Sequence, residues 1–299
     1  MELVVGVDAG GTASTAVVAT TGGAIVGRGR SGPGNPLTAG SGNAAAAVAA
    51  AVRSALGGHS PALVRAATLG IAGPAGAGQF TPALAALGVT GPVTVVGDVV
   101  TAFAAGTPAT SGAVLIAGTG AIAAAVHADA VVRTADGLGW LLGDEGSGRW
   151  LGLQAIRVAV RDWTAPLAAQ IAARARVGSA DEMVYWAQAL PWEQIGGLAP
   201  LVCAAARAGD PHAAVIVAEA VAHLVHTLDE LGADGPVVLG GSLLACDTPV
   251  RDGVLTTLRA RGRELRTGHD PAAGAAWLAA RPLTTLTPPA LHEALLGRP

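Results

Sequence analysis

The 299-residue chain contains no lysine; all 18 of its basic residues are arginine. That absence removes several chemistries at once. A P-loop places a lysine on the phosphates, a protein kinase places one on its third strand, and Schiff-base catalysis needs a lysine amine. A nucleotide, if this chain holds one, must be held by backbone amides, hydroxyls and a metal ion. Cysteine is scarce too, with Cys203 and Cys246 alone. Two cysteines so far apart build neither a disulfide framework nor a cysteine-rich zinc or iron–sulfur site. Both are expected to be reduced thiols in packed positions.

Long hydrophobic runs are missing as well. Apolar residues make up 51% of the chain and the mean hydropathy is +0.51, but the excess is alanine and valine. The longest such stretch, residues 44–52, stops at Arg53, well short of the roughly 20 residues that span a bilayer. No basic cluster exists beyond scattered arginines around 259–266, and the net charge is -3. No nucleic-acid partner is expected. The chain runs straight from Met1-Glu2 into a strand-like segment without a basic leader. No signal peptide and no membrane attachment are expected, and the location should be cytoplasmic.

What is present is alternation. Residues 3–7 predict a buried strand, and 15–20 with 24–28 predict its hairpin partners around Thr21-Gly22-Gly23. Residues 43–56 read as an alanine-rich helix ended by Gly57-Gly58. Strands follow at 64–71 and 93–96, and a helix starts at 98. The pattern then restarts, with strands at 113–117, 122–126 and 131–134 around the turn Gly118-Thr119-Gly120. This recurrence reads as two related halves. Residues 146–231 carry helical spacing over 151–161, 181–190, 198–208 and 211–231. A short strand at 236–239 runs into Gly240-Gly241-Ser242. Helices are expected over 250–261 and 272–280, followed by a proline-rich tail expected to pack loosely. Strands alternating with helices predict an α/β architecture. Gly106-Thr107-Pro108 and Ser111-Gly112 break the chain, so the expected domains are 1–108 and 109–299, with the terminal helix packing back on the first.

Three turns carry chemistry. Val-Asp-Ala-Gly-Gly-Thr, residues 7–12, follows a strand directly. Gly10 and Gly11 let the backbone approach a phosphate and aim amides at it. Thr12 adds a hydroxyl, and Asp8 at the strand end can hold a hydrated magnesium ion. Ile-Ala-Gly-Thr-Gly, residues 116–120, repeats the logic with Gly118, Thr119 and Gly120. Leu-Gly-Gly-Ser, residues 239–242, offers Gly240, Gly241 and Ser242 for a flat base or ribose to lie against. Each turn alone is weak, since such turns are common in any α/β protein; their order and spacing together are specific.

That ordered set resembles the sugar kinase/heat-shock protein/actin superfamily over roughly residues 3–280. The resemblance implies a two-lobed, actin-like, ribonuclease H-like α/β fold, each lobe a mixed sheet flanked by helices, with ATP in the cleft. A narrower resemblance rests on Gly-Pro-Gly-Asn-Pro (32–36), Leu-Gly-Ile-Ala-Gly-Pro (69–74), Val-Val-Gly-Asp-Val-Val-Thr-Ala (95–102) and Gly-Leu-Gly-Trp-Leu-Leu-Gly-Asp-Glu-Gly-Ser-Gly (137–148). The chain is similar to the N-acetylglucosamine kinase and glucosamine kinase group, among the BadF/BadG/BcrA/BcrD-type ATPases. This implies ATP and magnesium as cofactors, a small sugar as substrate, and a homodimer. It implies that Asp98 is the catalytic base and that Asn35, Gly73, Asp98, Trp140, Asp144 and Glu145 meet the sugar. Plainer roles stand beside these. Asp98 is a good helix N-cap, Asn35 a turn residue, Trp140 a wall residue, and Asp144 and Glu145 suit the start of a helix near Gly146. Ala121 departs from the pattern, standing where many of these kinases carry serine.

The 6-hydroxyl of N-acetylglucosamine is the expected acceptor, with glucosamine as the alternative. Two other classes stand behind this. A dehydratase-activating ATPase would need cysteines set around an iron–sulfur cluster, and Cys203 and Cys246 lack that setting. A non-catalytic sugar sensor would bind sugar without turnover. His223 and His226, three apart on an expected helix, lack a third ligand and read as a plain helix face.

Overall fold

The computed structural model describes residues 1–73 and 76–297. The chain begins with β1 (Leu3–Ala9), β2 (Ser14–Thr20), β3 (Ile25–Ser31), α1 (Pro36–Ala39), α2 (Ser41–Leu56), β4 (Val64–Ile71), α3 (Ala77–Ala85), β5 (Val93–Gly97) and α4 (Asp98–Ala104). Next come β6 (Gly112–Ala117), β7 (Ala121–His127), β8 (Ala130–Asp136), α5 (Gly148–Arg161), α6 (Pro166–Ala175), α7 (Ala180–Ala189), α8 (Ala199–Arg207) and α9 (Pro211–Asp229). It ends with β9 (Val237–Gly240), α10 (Ser242–Ala245), α11 (Pro249–Ala260), β10 (Leu265–Thr267), α12 (Pro271–Ala280) and α13 (Pro288–Leu296).

Two five-stranded sheets have the orders β3-β2-β1-β4-β5 and β10-β9-β6-β7-β8. Reversed, the second order matches the first strand for strand, which bears out the reading of two mixed-sheet halves. In the first sheet β1 runs antiparallel to β2 and parallel to β4, which runs parallel to β5. In the second, β6 runs parallel to β9. The chain divides into two compact units. One is Met1–Gly112 with Val126–Val132 and the chain from Arg266 onward; the other is Ala113–Ala125 with Arg133–Leu265.

In the first unit β1 is covered on both faces, which is why its sequence is an unbroken apolar run rather than an alternating one. Leu3, Val5 and Val7 join the core under α2, and Val4 joins the core under α12. Gly6 is what lets α12 in. A β-carbon there would overlap the backbone of Ala272 and Ala276. Gly274 does the same between α12 and α4, where a β-carbon would overlap the Thr101 carbonyl. These two contacts draw the ends of β1, α4 and α12 together, and each end carries an aspartate. The run Pro-Ala-Ala-Gly-Ala-Ala-Trp-Leu-Ala-Ala of α12 is apolar all round, as a helix buried on every side must be.

The tail does not pack loosely. Residues 288–296 form α13, with Leu291 and Leu295 buried. The Trp277 indole donates to the Pro288 carbonyl at 3.2 Å, and the His292 ring sits edge-on to Trp277, 5.7 Å between centroids. The prolines that suggested a loop stand in the first helical turn, where proline needs no amide, capped by the Thr287 hydroxyl. Helices α3 and α6 and the three-residue strand β10 also escaped the sequence reading.

The second unit packs five helices, α5 to α9, with α11 around a single core. Helix α9 has 19 residues and is long and apolar enough to cross a membrane by length and composition. It instead buries Ile216, Ala220, Leu224 and Leu228 against neighbouring helices.

Candidate functional site

The first unit assembles carboxylates. Asp8 lies on β1 opposite Thr15 and Gly70. Its pKa is pushed up to about 7, by burial first and then by the negative charges of Asp98 and Asp270. Asp98 opens α4, at the positive end of the helix, and accepts the Val99 amide at 3.0 Å. Burial nevertheless raises its pKa, against the lowering by that amide. A buried carboxylate that resists ionisation is a stronger proton acceptor than a free one at the same pH. Asp270 was not anticipated. Its Asp-Pro step marks a helix start, but nothing in the sequence brings it near Asp8. It caps α12 through the Ala273 amide at 3.0 Å and pairs with Arg28 at 2.6 Å.

The first turn is tied to the Asn35 loop. The Gly10 carbonyl accepts the amides of Gly34 and Asn35 at 3.0 and 3.2 Å. Asn35 itself caps α1, its Oδ1 accepting the Leu37 amide at 2.8 Å. Gly73 lies beside this loop at φ +82°, a β-carbon there falling 3.4 Å from Asn35 Oδ1. The next two residues of the Ala72-to-Gly78 loop, 74 and 75, lie outside the described residues.

Gly10 and Gly11 are not demanded by the fold. A β-carbon on Gly10 would meet nothing closer than 3.7 Å, and on Gly11 nothing closer than 3.9 Å. Space left open over two glycines beside the hydroxyl of Thr12 is what close approach of a phosphate needs.

The second unit holds the other two turns together. Gly118 follows the same rule as Gly10, with Ser242 nearest at 3.7 Å. Gly120 and Gly241 differ. A β-carbon on Gly120 would lie 2.7 Å from the Asp144 carboxylate, and one on Gly241, at φ +78°, would overlap Ala117. Gly118, Thr119 and Ser242 line one cavity of about 480 Å³ with Ala199, Cys203, Arg207, Leu243 and Cys246. Gly240 stands behind this wall at the end of β9, with Ile116 3.4 Å from its would-be β-carbon. Cys246 is exposed, not packed as expected; it ends α10 where the chain turns out to solvent. Cys203 is buried, and burial raises its pKa despite Arg207.

The turn is braced from below. The amides of Gly148 and Arg149, at the start of α5, donate to the carbonyls of Gly118 and Thr119 at 2.7 and 3.3 Å. Asp144 accepts the Ala121 amide at 3.0 Å and pairs with Arg149 at 3.4 Å. Burial raises its pKa, while that amide and Arg149 oppose the rise. Its carboxylate therefore faces the turn. The cap of α5 is Ser147, whose hydroxyl accepts the Trp150 amide, so neither acid of 144–145 caps that helix. Asp136, also unanticipated, accepts the amides of Asp144 and Glu145 at 2.7 and 2.9 Å.

Trp140, Asp144 and Glu145 line a second cavity of about 250 Å³ with Arg149, Trp150 and Arg157. Trp140 is 43% exposed and stacks on Trp192, centroids 6.1 Å apart. Arg149 lies over the other ring at 4.5 Å. Glu145 meets His223 at 3.7 Å and Glu230 meets His226 at 3.3 Å, so the two histidines serve separate carboxylates.

Among the described residues no group of three or more His, Cys, Asp or Glu side chains is spaced to hold a metal ion directly. A magnesium ion does not need one, since it keeps several waters and binds through one or two carboxylates and phosphate oxygens. Asp8 fits that manner of binding, because a cation would relieve the repulsion that holds its pKa up.

The profile of the BadF/BadG/BcrA/BcrD ATPase family matches residues 5–279. No curated protein sequence matches the chain. Among solved structures, a Chromobacterium violaceum protein proposed as an N-acetylglucosamine kinase is 26% identical, with a TM-score of 0.76 over 93% of this chain and 99% of that one. A Porphyromonas gingivalis protein proposed to have the same activity is 22% identical, with a TM-score of 0.73 over 98% and 99%. A ROK family glucokinase from Streptomyces griseus, solved with glucose and AMPPNP, is 20% identical, with a TM-score of 0.64 over 93% and 99%. The last two share the fold, and it is the family profile that assigns the chain: it belongs to the BadF/BadG/BcrA/BcrD ATPase family.

Proposed function

We propose that the chain is an ATP-dependent sugar kinase that phosphorylates the 6-hydroxyl of an amino sugar in the cytoplasm, N-acetylglucosamine before glucosamine. The observation that carries the reading is Asp98. It is a half-buried carboxylate with a raised pKa at the junction of β5 and α4, in the unit that also holds Asp8 and the Asn35 loop. The likeness to the Chromobacterium violaceum protein supports the choice of acceptor.

In this reading Asp98 accepts the proton of the sugar hydroxyl as its oxygen attacks the γ-phosphorus. General base catalysis of this kind contributes about 10²–10⁴-fold. Positioning and charge neutralisation carry most of phosphoryl transfer. The amides of Gly11 and Gly120 and the hydroxyls of Thr12 and Thr119 hold phosphate oxygens, while the Gly10 and Gly118 amides donate to the carbonyls of Ala13 and Gly120 and shape the turns over which the phosphates lie. Ser242 lines the adenosine cavity, and Gly240 and Gly241 form the turn that places it there. Magnesium, held by Asp8 through water, would neutralise phosphate charge when bound. Asn35, Gly73 and Glu145 meet the sugar, and Trp140 offers its exposed ring face. Asp144 acts from behind, by fixing the second turn.

The test is ADP release with Mg-ATP against N-acetylglucosamine, glucosamine, N-acetylmannosamine and glucose, with Asp98→Asn as control. Turnover of one amino sugar that the substitution abolishes is the expected result. Nucleotide binding without turnover of any of them would point to a sugar sensor instead.

A further inference from the structure

The cavity that holds the second and third turns has a flat charged group on its wall that neither turn explains. Arg207, the last residue of α8, lines it beside Cys203 and Ala204. Its Nη1 and Nη2 donate to the two carboxylate oxygens of Asp247 at 3.0 and 2.6 Å. Asp252 adds a second carboxylate at 3.6 Å. Asp247 takes both terminal nitrogens of the guanidinium in a bidentate, end-on pair, with the Asp252 carboxylate alongside.

This arrangement decides what Arg207 can do. An arginine that binds phosphate presents its donor edge and its charge. Here both terminal nitrogens are engaged by Asp247, and the Asp252 carboxylate lies alongside to offset the charge. What remains available is the flat face, which attracts π-systems. The rest of the cavity agrees. Ala199, Pro200, Ala204 and Leu243 are apolar, and Gly118, Thr119 and Ser242 mark the side where phosphates and ribose belong. At about 480 Å³ the space suits a nucleoside.

We infer that Arg207, locked flat by Asp247, is a nucleobase-stacking residue that positions the purine of the nucleotide and favours purines over pyrimidines. The inference rests on the kinase reading of the same cavity and goes beyond it by naming the group that grips the base.

Both cysteines of the chain line this cavity, and exposed Cys246 is its built-in reporter. Calorimetric titration of ATP, UTP, adenosine and inorganic tripolyphosphate would be run on the wild-type protein, Arg207→Met and Arg207→Lys. Alkylation of Cys246 by iodoacetamide would be followed by mass spectrometry with adenosine or tripolyphosphate present. Thermal melts check that the variants fold. We expect Arg207→Met and Arg207→Lys alike to weaken ATP and adenosine about three- to five-fold, UTP less, and tripolyphosphate not at all. Adenosine should slow alkylation of Cys246, and tripolyphosphate should not. Equal losses for ATP and tripolyphosphate, or rescue by lysine, would make Arg207 a phosphate ligand and overturn the inference. Unchanged ATP affinity in both variants would overturn it as well, leaving the kinase reading standing. Wild-type protein that binds no nucleotide would overturn both.

Discussion

The two units share a strand order but treat their glycine turns in opposite ways. In the first unit Gly10 and Gly11 are free of steric demand, and the surroundings are acidic, with Asp8, Asp98 and Asp270. In the second, Gly120 and Gly241 are forced by Asp144 and Ala117, and the turn is braced by α5 amides and an ion pair. Both turns are hydrogen-bonded, but the first leaves open space over its glycines among carboxylates, while in the second only Gly118 has such space. A turn whose glycines the fold does not require keeps them for a ligand, and a turn whose glycines the fold requires is built before any ligand arrives. In the proposed reading the second turn is a preorganised phosphate seat, and the first unit carries the carboxylates for a cation and a base.

Substitutions can break this comparison. The largest effect should come from Asp98→Asn, which should lower turnover by about 10²–10⁴-fold while leaving ADP affinity unchanged, as read by steady-state rates beside calorimetry. Next is a contrast between turns. Gly241→Ala should destabilise the protein by about 2–4 kcal/mol, through positive-φ strain and overlap with Ala117. Gly11→Ala should leave the melting temperature in place and weaken ATP binding instead. Equal melting temperatures for the two would erase the distinction drawn here. Asp144→Ala follows, at about 1–3 kcal/mol, because it takes the acceptor from the Ala121 amide and removes the ion pair with Arg149; urea unfolding measures it.

A last effect is one of pH. The Asp8 pKa in the folded protein lies at about 7, above its ordinary value of 3.8. The folded state therefore holds that proton more tightly than the unfolded chain does. Without metal, stability should fall as pH rises from about 4 to about 7 and level off above. Asp8→Asn should flatten that slope, and magnesium nucleotide should do so in the wild type. A slope that persists unchanged in Asp8→Asn would remove the charge cluster from the account.

Much of this was legible in the sequence, for identifiable reasons. Strands such as Gly112–Ala117 are bounded by sharp breakers and are apolar throughout, so composition and punctuation agree. The three turns stand out because glycine pairs after strands are rare outside turns and ligand sites. Asp98 could be named because residues 95–102 resemble the kinase group, and a carboxylate at a strand end agrees with the chemistry. Other features were illegible because they depend on distant packing. Asp270 meets Asp8 only because Gly6 and Gly274 admit α12, and no local pattern encodes that approach. Asp136 and Arg207 work through partners eight and forty residues away. The tail was misread because proline breaks a helix interior and also starts a helix, and only the Thr287 cap separates the two cases.

The central claim is phosphoryl transfer to a sugar hydroxyl, and the most direct measurement is phosphorus–proton correlation NMR on the product formed from N-acetylglucosamine and Mg-ATP. The account predicts a phosphorus coupled to the two protons on C6, absent with Asp98→Asn. A phosphorus signal from inorganic phosphate alone, formed at the same rate with and without sugar, would contradict it.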